Sequence, residues 1–234
     1  MIGIIIAIAL LVLAGIIILI LFHFGLISFY HPMKSAKNNQ IRVACVGDSI
    51  TYGLFVGNRR KNNYPAVLNL LLGEKYCVNN FGYTNRTAIK SGDYPIVNEK
   101  LYKQSLDFKP DIVVILLGTN DTKENNWDKD KFINDYGEIV DSYLALESAP
   151  KVYILTPSPL FEVRGKILYD LRKSIVESEV VPAIKNIAKA KCVDCIDIYM
   201  VFDGKRELFA DGVHPNVKGS ELLAQSVFEK LSNN

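Results

Sequence analysis

Beyond residue 40 the chain alternates between two textures. Short, strand-like runs occupy residues 41–46, 75–80, 111–117, 151–156 and 193–199, each of the length of a strand bounded by turn or polar residues. Between them, apolar residues return every three or four positions over residues 64–72, 96–108, 131–146, 167–190 and 217–231, the period of an amphipathic helix. Strand and helix in alternation predict an α/β domain, a doubly wound five-stranded parallel sheet with helices on both faces. The third run, Ile112-Val113-Val114-Ile115-Leu116-Leu117, is apolar throughout and belongs in the middle of that sheet. Pro65 suits the first turn of its helix. Pro182 lies inside the 167–190 run, so a kink or break is expected near Val181.

The first forty residues read differently. Residues 2–22 carry no charge, and the first charged side chain is Lys34; about twenty apolar residues span a bilayer core as a helix. A cleaved signal peptide competes with this reading, but the basic n-region is missing and the apolar stretch exceeds a usual h-region. The expectation is therefore an uncleaved transmembrane anchor over residues 1–24, a polar linker over 25–40 and the α/β domain over 41–234. Lys34, Lys37 and Arg42 follow the span and no Lys or Arg precedes it, which favours a cytoplasmic domain by the positive-inside rule. With so few charges, a domain on the outer side stays open.

Composition acts mainly by exclusion. A chain of 234 residues holds one large core and needs no second globular domain. Its 27 Lys and Arg against 25 Asp and Glu leave a net charge of +2, too little basic excess to neutralise a phosphate backbone, so nucleic acid is not an expected partner. Cys45 and Cys77 fall in strand-like runs, where the thiol acts as a small hydrophobe. Cys192-Val193-Asp194-Cys195 has the spacing of a redox dithiol or of half a zinc site, but no second Cys or His pair stands at ligand spacing and the motif opens no helix. It reads as structural, and no metal or cofactor is expected; no Gly-rich phosphate loop follows the first strand either.

Candidate chemistry collects where strands end, because the carboxyl ends of the strands in an open parallel sheet border the ligand crevice. Gly47-Asp48-Ser49-Ile50-Thr51 follows the first strand, Asn80-Phe81-Gly82 the second and Gly118-Thr119-Asn120-Asp121 the third, while Asp211-Gly212-Val213-His214-Pro215 precedes the last helix. Each has a plain reading: Gly-Asp-Ser forms turns, a Gly after a strand turns the chain, and Thr-Asn-Asp caps helices. Together they supply a hydroxyl, a side-chain amide and an acid–imidazole pair on one crevice. His214 is the sole imidazole of the α/β domain, since His23 and His31 lie in or beside the apolar span, and Asp211 has the spacing to hold its tautomer.

Those four blocks, in that order, resemble the SGNH/GDSL hydrolase family over essentially all of residues 41–232. The resemblance implies a three-layer α/β/α, flavodoxin-like fold, with Ser49 as nucleophile, His214 as general base and Asp211 as its partner. It also implies an oxyanion hole from the backbone N–H groups of Ser49 and Gly82 and the side-chain amide of Asn120. One departure is visible: many members carry a second glycine where this chain has Asn85, a residue that tolerates left-handed backbone.

The expected activity is that of a serine esterase on small acyl esters. The stretch from Asn80 to Thr87, with Ser91-Gly92-Asp93-Tyr94-Pro95, resembles members that deacetylate sugars, and Tyr83, Arg86 and Trp127, with Tyr52 and Asn125, are the expected substrate contacts. Two alternatives remain: a membrane-tethered lysophospholipase or thioesterase, and a non-catalytic flavodoxin-like module that binds a glycan.

Overall fold

The structure is a computed structural model that describes residues 2–23, 33–37 and 39–233, with side chains from residue 6 and excluding residues 22 and 23. Five strands, β1 (Ile41–Gly47), β2 (Tyr76–Gly82), β3 (Ile112–Leu116), β4 (Lys151–Leu155) and β5 (Asp194–Ile196), pair in parallel in the order β2-β1-β3-β4-β5. That is the flavodoxin-like winding, whose switch point lies between β1 and β3. The expected α/β sheet is present, and β3 is its central strand.

Alternation along each strand builds two cores. Ala44, Val46, Val113 and Ile115 point to one face, where they meet α5 (Lys100–Asp107), α6 (Lys129–Leu144) and α8 (Val181–Lys191). Val43, Cys45, Val114 and Leu116 point to the other, against α4 (Tyr64–Leu72) and α10 (Val217–Ser232). Four shorter helices complete the set: α2 (Ser49–Tyr52), α3 (Arg59–Asn62), α7 (Lys173–Ile175) and α9 (Ile198–Val201).

Three elements differ from expectation. The 96–108 run splits into a 3₁₀ turn, Ile96–Asn98, and α5, with Glu99 extended between them. The fifth strand stops at Ile196 because Asp197 turns its carboxylate onto the Met200 N–H and caps α9. The 167–190 helix begins only at Lys173, and Val176–Val180 form a π-helical turn before Pro182. Proline has no N–H for the carbonyl one turn back, and widening that turn spares the ring a clash. The expected break at Val181 is thus a π turn.

Helix α1 (Ile2–His23) is apolar on all sides, and its large side chains between Ile6 and Ile20 are 47–73% exposed, so the domain does not cover it. Among the described residues, no helix is long and apolar enough to cross a membrane. The described side chains, 6–21, fall short of the about twenty residues a bilayer needs, and the structure does not establish the expected anchor. Residues 1 and 24 of the expected anchor and residues 25–32 and 38 of the expected linker lie outside the described residues. Its Lys34 exchanges two 2.9 Å hydrogen bonds with the Asn79 amide of edge strand β2, which blunts that edge.

Candidate active site

The site starts from a close packing of backbone. Gly47 and Gly82 are register partners at the ends of β1 and β2, and α2 lies directly on them. A Cβ on Gly47 would collide with the Leu116 carbonyl and the Thr51 hydroxyl; one on Gly82 would collide with the Thr51–Tyr52 backbone. Two glycines let α2 sit flush on the sheet and present its first residue, Ser49, at the crevice. Asp48 caps α2, its Oδ1 accepting from the Ile50 N–H at 2.9 Å. Its Oδ2 accepts a long 3.3 Å bond from Asn120 Nδ2, whose amide also donates to the Arg86 carbonyl at 3.1 Å. Asp48 is fully buried; desolvation, reinforced by the charge of Asp121, pushes its carboxyl up to about 7 against the help of backbone N–H groups.

On the far side of the crevice, the turn before α10 brings up Asp211 and His214. Ser49 Oγ lies 2.8 Å from His214 Nε2, and His214 Nδ1 lies 2.7 Å from Asp211 Oδ2. Asp211 Oδ1 accepts from the Val213 and His214 N–H groups at 3.0 and 2.8 Å, which fixes the carboxylate in its own turn. Burial works against the Asp211 charge, but the bond and charge of His214, together with the Tyr169 hydroxyl at 2.6 Å, outweigh it and hold the carboxyl well below the usual range. An ionised acid, an imidazole and a hydroxyl in line can pass a proton from the serine to the ring as the oxygen attacks.

The three groups open into a cleft of about 310 Å³ lined by Ser49, Asn120 and His214, with Phe55, Asn85 and Tyr169 among the walls. Phe55 and Tyr169 meet the imidazole edge-on, at centroid distances of 5.3 and 5.6 Å.

The structure places six of the expected residues, Gly82, Tyr83, Arg86, Trp127, Tyr52 and Asn125, outside the lining of this cleft. Gly82 does not line the cleft: its N–H is taken by Asn80 Oδ1 at 2.8 Å, and its role is the close packing of α2. Asn85 lines the cleft instead, in left-handed backbone at φ 65°. Arg86 stacks over the Tyr83 ring at 3.9 Å while donating to Glu99 and the Thr84 carbonyl, each at 2.6 Å, so Arg86 and Tyr83 brace the turn behind the wall. Trp127 packs on Phe132, 5.3 Å between ring centroids, against the sheet core. Tyr52 is buried beneath Arg59, and Asn125 is outside the cleft lining as well. Phe55, Tyr169 and Leu171 line the cleft without having been expected there; the only cue is Gly53 before Phe55, since Tyr169 sits in a stretch with helical periodicity.

Among the described residues no cluster of His, Cys, Asp and Glu could hold a metal ion, and Cys192 and Cys195 are free thiols.

A serine, an imidazole and a carboxylate in line at the carboxyl end of a flavodoxin-like sheet mark the hydrolase class that works through an activated serine. Sequence comparison makes the class specific: the model of the GDSL-like lipase/acylhydrolase family matches residues 45–222, and the chain belongs to that family of carboxylic ester hydrolases. An acetylxylan esterase of Xylanibacter ruminicola is 36% identical over 215 residues, covering 83% of this chain and 44% of that protein. A multidomain esterase of Ruminococcus flavefaciens is 25% identical, covering 86% of this chain and 29% of its own length. The chain thus spans less than half the length of either relative. In fold, it superposes on Est24, a carbohydrate acetylesterase from Sinorhizobium meliloti, with a TM-score of 0.67 at 20% identity, over 83% of this chain and 99% of that one.

Proposed function

We propose that this chain is a serine esterase that removes small acyl groups, acetyl foremost, from a carbohydrate. The observation that carries the reading is the continuous line from Ser49 Oγ through His214 to Asp211, at 2.8 and 2.7 Å, at the base of the cleft. His214 Nε2 takes the Ser49 proton as Oγ adds to the ester carbonyl, and the imidazolium, steadied by Asp211, then protonates the sugar oxygen as its bond to the acyl carbon breaks, so that the sugar leaves as a free hydroxyl. Water, deprotonated by the same ring, releases the acyl group as the free acid. The oxyanion is met by the Ser49 N–H and the Asn120 amide, whose 3.3 Å bond to Asp48 is its weaker one. The Asn85 N–H serves as the third donor in place of Gly82.

A cleft of about 310 Å³ with two aromatic walls suits a short acyl group beside one sugar ring, and is at the small end for a ligand with a long chain. The 36% identical acetylxylan esterase supports the same choice. The apolar, uncovered surface of α1 supports a membrane anchor over residues 2–22, with the domain tethered at the surface on either side. Initial rates on acetylated xylo-oligosaccharides and on long-chain p-nitrophenyl esters test the substrate, with Ser49→Ala as the control. Faster turnover of the long chains overturns the sugar assignment in favour of the lipid enzyme, and equal rates for wild type and Ser49→Ala overturn the mechanism. Fluorophosphonate labelling of Ser49 separates an enzyme from a module that only binds glycan.

A further inference from the structure

Residues 157–172 form an irregular segment between β4 and α7 that gives the cleft two of its lining residues, Tyr169 and Leu171. It is fastened at both ends to functional segments. The Phe161 N–H donates to the Gly212 carbonyl at 2.9 Å, next to Asp211, and Arg172 Nε donates to the Thr122 carbonyl at 2.6 Å, two residues past Asn120. Between these points, Tyr169 and Asp170 both occupy left-handed backbone, at φ 64° and 56°, and neither is a glycine. Strain of this kind persists only where surrounding contacts impose it. The contacts that hold this turn are the packed Leu171, the Arg172 bond and the Tyr169 hydroxyl, which donates at 2.6 Å to Asp211 Oδ2, the same oxygen that receives His214 Nδ1.

We infer that Tyr169 is a positioning residue of this site: its hydroxyl adds a further anchor to the Asp211 carboxylate, on the oxygen that meets the imidazole, and shares its charge with His214, while its ring walls the cleft. This rests on the esterase reading of the same groups. Two donors on one oxygen divide its negative charge, so the Tyr169 hydroxyl weakens the hold of Asp211 on the imidazole proton in exchange for a fixed geometry. The titratable groups facing one another are Ser49, His214, Asp211 and Tyr169; the remaining bonds to Asp211 come from the Val213 and His214 N–H groups. Tyr169 is 45% exposed, so a substrate in the cleft touches the ring that carries this hydroxyl.

The test uses the full-length protein in detergent, with Tyr169→Phe and Tyr169→Ala compared with wild type on an activated acetyl ester. In Tyr169→Phe the ring stays and one hydrogen bond goes, so kcat falls about two- to tenfold with KM within about twofold. The acidic limb of kcat/KM moves to higher pH, because the imidazolium then has the carboxylate to itself. The low-field proton resonance of the His214 Nδ1–H bond moves further downfield for the same reason, a readout that needs no turnover. Tyr169→Ala, which also removes the wall, adds a rise in KM. A Tyr169→Phe protein with wild-type kcat, pH limb and proton resonance, or one altered in KM alone, overturns the inference. An inactive wild type unlabelled at Ser49 overturns the esterase reading instead, and the proton resonance still decides the role of Tyr169.

Discussion

Asp48 stands beside the proposed nucleophile without pointing at it, and replacing it with asparagine separates what its charge costs from what it positions. The carboxyl is fully buried and its pKa is pushed from the ordinary 3.8 up to about 7 by desolvation, with the Asp121 charge adding to it. An acid raised in this way binds its proton more tightly folded than unfolded, so its contribution is fully present below about pH 3.8 and is lost as the pH rises through about 7. One pH unit between the folded and unfolded titrations corresponds to about 1.4 kcal/mol. The rise from 3.8 to about 7 therefore sets a ceiling of about 4 kcal/mol on what ionised Asp48 costs at pH 8. The asparagine of Asp48→Asn keeps an oxygen for the Ile50 N–H, at which Asp and Asn cap equally well, and carries no charge. Urea unfolding of wild type and Asp48→Asn at several pH values isolates this contribution together with its coupling to Asp121, because the carboxylates that do not interact with Asp48 titrate alike in both. The variant should gain about 2 to 4 kcal/mol over wild type between pH 4 and pH 8. Its new NH₂ faces the Asn120 NH₂ that now donates to Asp48 Oδ2, so kcat on an acetyl ester should fall while stability rises. A stability difference that stays flat from pH 4 to pH 8 would refute the reasoning.

Further substitutions probe the other groups. Asn120→Ala should cut kcat about 10²- to 10³-fold with little change in KM, as loss of an oxyanion donor does elsewhere, read by steady-state kinetics. Asp211→Asn keeps the shape but supplies the wrong partner for the ring, and kcat should fall by about 10⁴. Gly82→Ala places a methyl against the Thr51–Tyr52 backbone and should cost about 1 to 3 kcal/mol in chemical unfolding, more than any effect traceable to its N–H, which Asn80 already holds. Arg86→Ala frees the turn between Tyr83 and Asn85, so hydrogen exchange there should quicken and kcat on an activated acetyl ester should fall, with KM changed little.

The sheet is legible in the sequence because its central strands β1, β3 and β4 carry apolar residues toward both faces, while the edge strands β2 and β5, which hold Asn79, Asn80 and Asp194, are marked by their place in the alternation with helices; the ends of all five are off by a few residues. The helix 64–72 is legible to the residue, since Asn63 caps it and Pro65 sits in its first turn. The segment before α7 is not. Ile167, Leu168 and Leu171 repeat at helical spacing, yet Leu171 packs into a small cluster with Leu160, Val176, Val181 and Val213, away from both faces of the sheet. Periodicity reports that residues share a face, not which body that face meets. Arg86 and Trp127 mislead for a related reason: polar and aromatic side chains near a crevice look like ligand contacts until the partner that takes them, Glu99 or Phe132, is brought alongside by the fold.

The turn after β1 shows why Ser49, Asn120, Asp211 and His214 can be read from sequence while the walls of the cleft cannot. Gly47 and Gly82 are demanded by backbone contacts within two neighbouring strands, and Asp48 by the helix it caps, so each leaves a local mark in the sequence. Tyr169 and Phe55 are fixed by the imidazole that lies between them, and nothing adjacent in the chain requires an aromatic ring at either position. The walls of the cleft are therefore set by residues that neither the sheet nor the caps require. The two aromatic rings touch the imidazole from the cleft side, so a change at either alters the cleft wall while the line from Ser49 to Asp211 stays as it is.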